Sequence, residues 1–288
     1  LLGMPIFLQA LHRRTKWYTI RNIRAYWYGE RLIMANDSAI PDELIQSLRL
    51  AQSVAILTGA GISAESGIPT FRDAMTGLWS AYRPEDLATP AAFQRNPRLV
   101  WEWYAWRRSL AANAQPNPAH YALASLEQHV PAFTLVTQNV DNLHQRAGSQ
   151  NVIELHGNIQ RVKCSAEHVV IDTWETQEGT PPICPRCGSL LRPDVVWFGE
   201  VLPAAAFEQA VAAAAQCDVF LAIGTSGVVE PAASLPRVAA QHGATLVILN
   251  LDVTPYHHRN VFHLHGRAGI LLPELARRAW PNQELMSR

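Results

Sequence analysis

Four short runs of continuous apolar residues punctuate this chain at wide intervals: 53–58, 133–138, 218–223 and 244–249. Val54, Ile56 and Leu57 mark the first, and Phe133, Leu135 and Val136 the second. Val219, Phe220, Leu221 and Ile223 mark the third, and Leu246 to Leu249 the fourth. Runs without alternation predict strands buried on both faces, and helical stretches such as Ala204 to Gln216 lie between them. The pattern predicts an α/β fold, a parallel sheet covered by helices. Pro41 to Ala51 reads as an amphipathic helix, with Leu44, Ile45, Leu48 and Leu50 apolar and Asp42 and Glu43 near its N-terminus. Ligands of such sheets bind beyond the carboxyl ends of the strands. Thr58-Gly59, Gln138-Asn139, Gly224-Thr225 and Asn250-Leu251 each stand at such an end, so one nucleotide across all four is expected.

The first of these ends is the most specific. Gly59 and Gly61 let the backbone approach a ligand closely, and a helix after them would aim N–H groups at a phosphate. The usual dinucleotide pattern wants a third glycine three residues after the second, and Ala64, an accepted variant, stands there. The tail Gly67-Ile68-Pro69-Thr70-Phe71-Arg72-Asp73 is more than an ordinary dehydrogenase needs. Three further segments follow: TQNVDNLH at 137–144, ELHG at 154–157 and VWFGE at 196–200. With GAGIS at 59–63 and Gly224-Thr225-Ser226, in this order, the set closely resembles the sirtuins, NAD-dependent protein lysine deacylases. The resemblance spans about residues 40–275.

That resemblance implies a Rossmann-like parallel-sheet core of about 40–69, 121–157 and 196–275. A smaller domain is implied by two insertions, helical at about 70–120 and a zinc module at about 158–195. NAD is the implied co-substrate. Gly59, Ala60, Gly61, Ile62 and Ser63 match its glycine-rich contact, and Phe71 and Arg72 fall where the family covers the nicotinamide end. Gln138, Asn139, Val140 and Asp141 would face the nicotinamide ribose. Thr225 and Ser226, after Gly224, would hold the adenosine half with Asn250, Leu251, Asp252 and Ala268. His156 matches the catalytic histidine, and an imidazole with an ordinary pKa near 6.5 can accept a proton at working pH. In sirtuins the acyl oxygen of the lysine amide attacks C1′ of the nicotinamide ribose and expels nicotinamide. The histidine then helps a ribose hydroxyl attack the resulting imidate, and water completes release of lysine and O-acyl-ADP-ribose.

The substrate backbone is expected between Val196-Trp197-Phe198-Gly199 and a loop after Gly227, added as an extended strand. Tyr104-Ala105-Trp106-Arg107 resembles the YxxR pair of class III sirtuins, which remove succinyl and malonyl groups. Ala88, in Leu87-Ala88-Thr89-Pro90, matches the small residue that enlarges their acyl pocket. Residues 104 and 107 share a helix face, and a guanidinium can take a carboxylate with two parallel hydrogen bonds.

Cys164, Cys184 and Cys187 resemble three of the family's four zinc ligands, and CxxC at 184–187 is a good tetrahedral half-site. The other half departs from the pattern, because Ser165-Ala166-Glu167 follows Cys164 and the second cysteine is missing. His168, another ligand, water, or no metal at all remain open for the fourth position.

Composition narrows the partners. Lys plus Arg total 24 and Asp plus Glu total 24, so no general attraction to nucleic acid is expected. No apolar run reaches the ~20 residues of a membrane span. Four cysteines in 288 residues do not make a disulfide scaffold, and a soluble, cytoplasmic protein acting on acylated lysine in other proteins is expected. Residues 1–33 carry Arg13, Arg14, Lys16, Arg21, Arg24 and Arg31 against Glu30 alone. They read as an extension outside the core, either an Arg-rich leader or a start-site artefact with translation from Met34. The rival functions are a mono-ADP-ribosyltransferase or NAD hydrolase on the same scaffold, and a non-catalytic NAD-binding module.

Overall fold

The computed structural model of the chain describes residues 17–20, 23–28, 31–35, 40–70, 82–174, 180–252 and 260–281. The chain divides into two compact units, Leu1–Pro41 and Asp42–Arg288. The first holds an antiparallel sheet of β1 (Trp17–Ile20), β2 (Ile23–Tyr28) and β3 (Arg31–Ala35), with Trp17 paired to Tyr26 and Tyr28 to Arg31. The charge-based reading of residues 1–33 contains no strands, so these three are a finding of the structure.

The second unit opens with α1 (Asp42–Leu50), β4 (Ser53–Thr58) and the short α2 (Ala60–Ala64). Three helices follow, α3 (Pro84–Leu87), α4 (Pro90–Arg95) and α5 (Pro97–Asn113), before α6 (Pro118–Glu127) returns the chain to the sheet. Thr89, Asn96 and Asn117 cap α4, α5 and α6 with side-chain oxygens, and each is followed by proline at the first helical position. Next come β5 (Ala132–Thr137), α7 (Leu143–Arg146) and β6 (Val152–Glu154). A small antiparallel sheet is then made from β7 (Gly157–Cys164), β8 (Val170–Ile171) and β9 (Leu191–Val195). The chain closes with α8 (Ala204–Gln216), β10 (Val219–Ile223), α9 (Leu235–Gln241), β11 (Thr245–Asn250), β12 (Val261–His265) and α10 (Ala268–Ala279).

The main sheet is six parallel strands in the order β12-β11-β10-β4-β5-β6. From β4 the chain builds outward to β6, then crosses back to β10 and builds the other way, so the topological switch lies between β4 and β10. Register keeps the carboxyl ends level: Thr58 pairs with Thr137 and with Ile223, and Ile223 with Leu249. One face is covered by α8 and α9, whose Ala210, Ala214, Leu235 and Ala239 pack on Phe220, Leu246 and Ile248. Each fully buried Leu, Ile or Phe contributes roughly 1.5–3 kcal/mol, so the continuous runs seen in the sequence also supply much of the core's stability.

Two details differ from the sequence expectation. Leu50 is 78% exposed while Leu44, Ile45 and Leu48 are buried, because residue 50 sits on the far side of α1. Edge strands β6 and β12 add to the four predicted; β6 has three residues, and β12 reads Val-Phe-His-Leu-His with only Leu264 buried.

The two insertions share one apolar core. Leu87, Ala88, Phe93, Val100, Trp103 and Tyr104 from the helices pack with Ile159, Val195 and Trp197 from the small sheet and its exit. Among the described residues no helix is long and apolar enough to cross a membrane.

Candidate functional site

At the switch point two glycine turns touch. The Gly59 N–H donates to Ile223 O at 3.0 Å, and the Gly61 N–H to Gly224 O at 2.9 Å. A Cβ on Gly61 would lie 2.8 Å from Gly224 Cα, and one on Gly224, whose φ is 60, would lie 2.5 Å from Ile62 N. Glycine is therefore required for two backbones to meet. The Gly61 N–H is spent on that meeting.

Polar side chains line the level strand ends. Gln138 donates from its backbone to Thr58 O at 3.0 Å and from Nε2 to Thr225 Oγ1 at 3.1 Å. Asn250 Nδ2 donates to Thr225 O at 3.0 Å. Asn139 Nδ2 donates to Gly59 O and to Ser63 Oγ, both at 3.1 Å, and Ser63 Oγ donates to Asp141 Oδ2 at 2.7 Å. Asp141 is buried, and desolvation raises its carboxyl pKa against the pull of the Leu143 N–H, the Ser63 hydroxyl, Arg107 and Arg146. Val140 is half-buried and its carbonyl accepts from the Ile159 N–H at 2.8 Å. Ala60 and Ile62 lie on α2, Ser226, Leu251 and Asp252 are exposed at the rim, and Ala268 is buried at the start of α10. Phe71 and Arg72 fall outside the described residues.

His156 sits in the turn between β6 and β7, followed by Gly157 at φ 78. A Cβ at 157 would come within 2.2 Å of Asp194 O, so glycine is needed to turn the chain there. His156 Nδ1 lies 2.9 Å from the carbonyl oxygen of Gln138. That oxygen can only accept, so Nδ1 carries the proton and Nε2 of the neutral ring keeps a free lone pair. Burial lowers the imidazole pKa, with the Gln138 carbonyl offsetting part of the shift.

The same turn gathers the expected substrate residues. The Val196 N–H donates to His156 O at 2.9 Å, and the Phe198 N–H to Ala88 O at 3.0 Å. Phe198 is half exposed, whereas Tyr104 is buried with its ring centroid 4.6 Å from Trp103 and 6.3 Å from Trp197. Burial pushes the Tyr104 hydroxyl up to about 12, so it stays protonated as a donor. Arg107 lies one turn further along α5, its Cζ 4.9 Å above the Trp103 ring centroid. Burial lowers its pKa, while Tyr104 and Asp141 favour its charge, which links this corner to the strand ends.

Cys164, Cys184 and Cys187 come together with their sulfurs all within 4.8 Å of one another. Tetrahedral Zn–S bonds of ~2.3 Å place sulfurs about 3.8 Å apart, so the cluster fits three of zinc's four positions. His168 is exposed and outside this group. Hydrogen bonds from Ser189 hold the exposed Cys187 thiol below its usual value.

Two networks were not foreseen. Thr58 Oγ1 donates to Thr137 Oγ1 at 2.8 Å and lies 2.9 Å from Nε2 of His144, whose ring is tilted 54° against that of the buried His120, centroids 4.9 Å apart. Burial lowers His120 to about 4. The signal available for it was Asn117-Pro118-Ala119-His120, a helix start whose His120 ring closes the cap by accepting from the Asn117 N–H. The second network is Arg192, buried on β9, which donates to Val195 O at 2.8 Å and Glu200 Oε2 at 2.9 Å with its Cζ 3.3 Å from the Trp197 ring centroid. The Trp197 N–H donates to the same Glu200 oxygen at 2.8 Å.

A model of the Sir2 family matches residues 59–231. NAD-dependent protein deacylase 1 of Pseudomonas aeruginosa is 51% identical over 246 residues, 83% of this chain and 98% of its own length. The NAD-dependent protein deacylase of Thermus thermophilus is 54% identical over 232 residues, covering 79% of this chain and 90% of its own. A solved Sir2 homolog–NAD complex matches with a TM-score of 0.78 at 45% identity, over 84% of this chain and 94% of that one. A Sir2–p53 peptide–NAD+ complex matches with a TM-score of 0.70 at 34% identity, over 83% of this chain and 96% of that one.

Proposed function

The chain belongs to the Sir2 family and is an NAD-dependent protein deacylase, and from that premise we propose that it removes succinyl and malonyl groups, as well as acetyl, from lysine side chains of proteins. The observation that carries the acyl assignment is the grouping of Ala88, Tyr104 and Arg107. Ala88 and Tyr104 share one apolar core, and the Arg107 charge reaches the Tyr104 hydroxyl from the next turn of α5. A carboxylate entering such a pocket unpaired would be costly. Arg107 can meet it with two parallel hydrogen bonds, and Tyr104, held protonated, can add a third.

NAD supplies the ribose carbon that takes up the acyl oxygen as nicotinamide leaves. The chain's own groups bind and orient it: the Gly59–Ser63 turn, Gln138 to Asp141, Thr225 and Ser226, Asn250 to Asp252, and Ala268. Asn139 and Asp141, tied together through Ser63, offer an amide and a carboxylate suited to ribose hydroxyls. His156 is the general base, taking a ribose hydroxyl proton on Nε2 while Gln138 O fixes the ring through Nδ1. The acylated segment of the partner protein lies along Val196 and Phe198 as an added strand. Cys164, Cys184 and Cys187 would hold zinc as a structural ion, fastening the small sheet that carries this segment. The proposed compartment is the cytoplasm, whose reducing conditions suit four unpaired cysteines. Balanced charge fits protein partners, with neither nucleic acid nor membrane among them.

Arg107→Met tests the acyl assignment. Desuccinylation should lose about 2–5 kcal/mol of transition-state binding, the range for removing one partner of a buried charge pair. Deacetylation should fall far less. The measurement is kcat/KM on matched succinyl and acetyl peptides; equal proportional losses would make Arg107 a structural residue and overturn the acidic-acyl reading.

A further inference from the structure

Three sulfurs leave one tetrahedral zinc position without a donor. The backbone around the cysteines singles out one residue for it. Cys184 opens a tight turn in which the Gly188 N–H donates to Cys184 O at 2.9 Å, with Gly188 at φ 75. Cys164 opens a turn of the same form: the His168 N–H donates to Cys164 O at 3.0 Å, with His168 at φ 58. The two turns correspond residue for residue. Cys164 matches Cys184, His168 matches Gly188, and Glu167 matches the ligand position held by Cys187.

This correspondence separates the candidates. His168 occupies the left-handed position that closes the turn, the place of the non-ligand Gly188; the side chains of His168 and Glu167 are both exposed and outside the sulfur cluster, so position in the turn is what separates them. Glu167 sits where the second half-site ligand belongs, and its N–H donates to the Cys164 sulfur at 3.3 Å. A carboxylate is an ordinary zinc ligand at distances close to those of imidazole nitrogen. In this structure the Glu167 carboxylate lies 3.0 Å from Arg186 Nε, a pair whose side chains are 35% and 63% exposed. Exposed pairs of this kind are weak and release their partners readily.

We propose that Glu167 is the fourth ligand of a three-cysteine, one-glutamate zinc site, and that Arg186, which pairs with the same carboxylate, competes with the ion for it. Arg186 lies between Cys184 and Cys187 in sequence, and its guanidinium already contacts the carboxylate that the ion would take. The site is a carboxylate variant of a four-thiolate centre, harder in donor character and weaker in grip on soft metals.

Zinc affinity of the full-length protein, measured by competition with a chromophoric chelator, and the absorption of its cobalt(II)-substituted form test this. Glu167→Ala should weaken zinc binding at least ~10-fold, since losing a direct ligand costs no less than losing an outer-shell partner, roughly 10–100-fold. It should shift the cobalt ligand-field bands while leaving the thiolate charge-transfer intensity unchanged. Glu167→Cys should raise that intensity by about a third, as three thiolates become four. Arg186→Ala should tighten zinc binding, and serves as the decisive variant if Glu167→Ala does not fold. His168→Ala should bind as wild type. Wild-type affinity in Glu167→Ala, weaker binding in Arg186→Ala, a loss confined to His168→Ala, or no metal bound by the wild-type protein would each overturn the proposal.

Discussion

In the proposed site, one backbone carbonyl decides the chemistry of His156. Because Gln138 O accepts from Nδ1, the neutral ring presents Nε2 as its base, and burial keeps the ring neutral below the ordinary imidazole pKa. A base must be unprotonated to act, so activity is lost only as pH falls through that lowered pKa. The acid limb of the rate profile should therefore lie below about pH 6.5. His156→Ala should lose roughly 10²–10⁴ in rate while NAD binding stays within about tenfold. Steady-state kinetics across pH, with NAD binding by calorimetry, measure both, and wild-type turnover in the mutant would remove His156 from catalysis. The candidate stood out in the sequence because Glu154-Leu155-His156-Gly157 gave a lone histidine a context. Thr58 and Thr137 were not, because a hydroxyl closing an apolar run reads as the end of a strand. Only the register shows that the two hydroxyls meet beside His144.

Among the elements, the strand–turn from β9 through Glu200 links the cysteine module to the proposed acyl corner. Arg192 stacks on Trp197, pairs with Glu200 and is buried, so it holds the turn that presents Val196 and Phe198. Arg192→Met would take away the ion-pair partner of Glu200 and leave it the Trp197 N–H, at a cost of roughly 3 kcal/mol in unfolding free energy. If the pair positions the substrate segment, the acyl-peptide KM should rise about tenfold or more while the NAD KM holds within about twofold. Equal movement of both KM values would reduce Arg192 to a purely structural part. Sequence could not reveal this clamp: Arg192 and Glu200 are eight residues apart, and only the fold of the turn brings them together. The interior strands were legible because burial on both faces writes a continuous apolar run. Edge strand β12 was not, because a half-buried edge tolerates His263 and His265. Leu50 shows the opposite failure, an apolar residue counted toward a buried face and found in solvent.

Across the second unit, level strand ends, two insertions sharing one core and the turn carrying His156 make up the proposed site. Fold class was open to a sequence reader because apolar runs, glycine turns and helical stretches all agree with one another. The strands of the first unit were hidden, since charge and aromatic content dominate residues 1–33. The central claim, an NAD-dependent deacylase with a site for acidic acyl chains, is tested most directly by mass spectrometry of matched peptides bearing acetyl-, malonyl- and succinyl-lysine, each with and without NAD. The account predicts loss of acyl groups only with NAD, one nicotinamide and one O-acyl-ADP-ribose released per lysine freed, and faster turnover of the malonyl and succinyl peptides than of the acetyl peptide. ADP-ribose attached to the peptide, NAD cleaved with every acyl group left in place, or acetyl removed while both acidic groups are refused would contradict it.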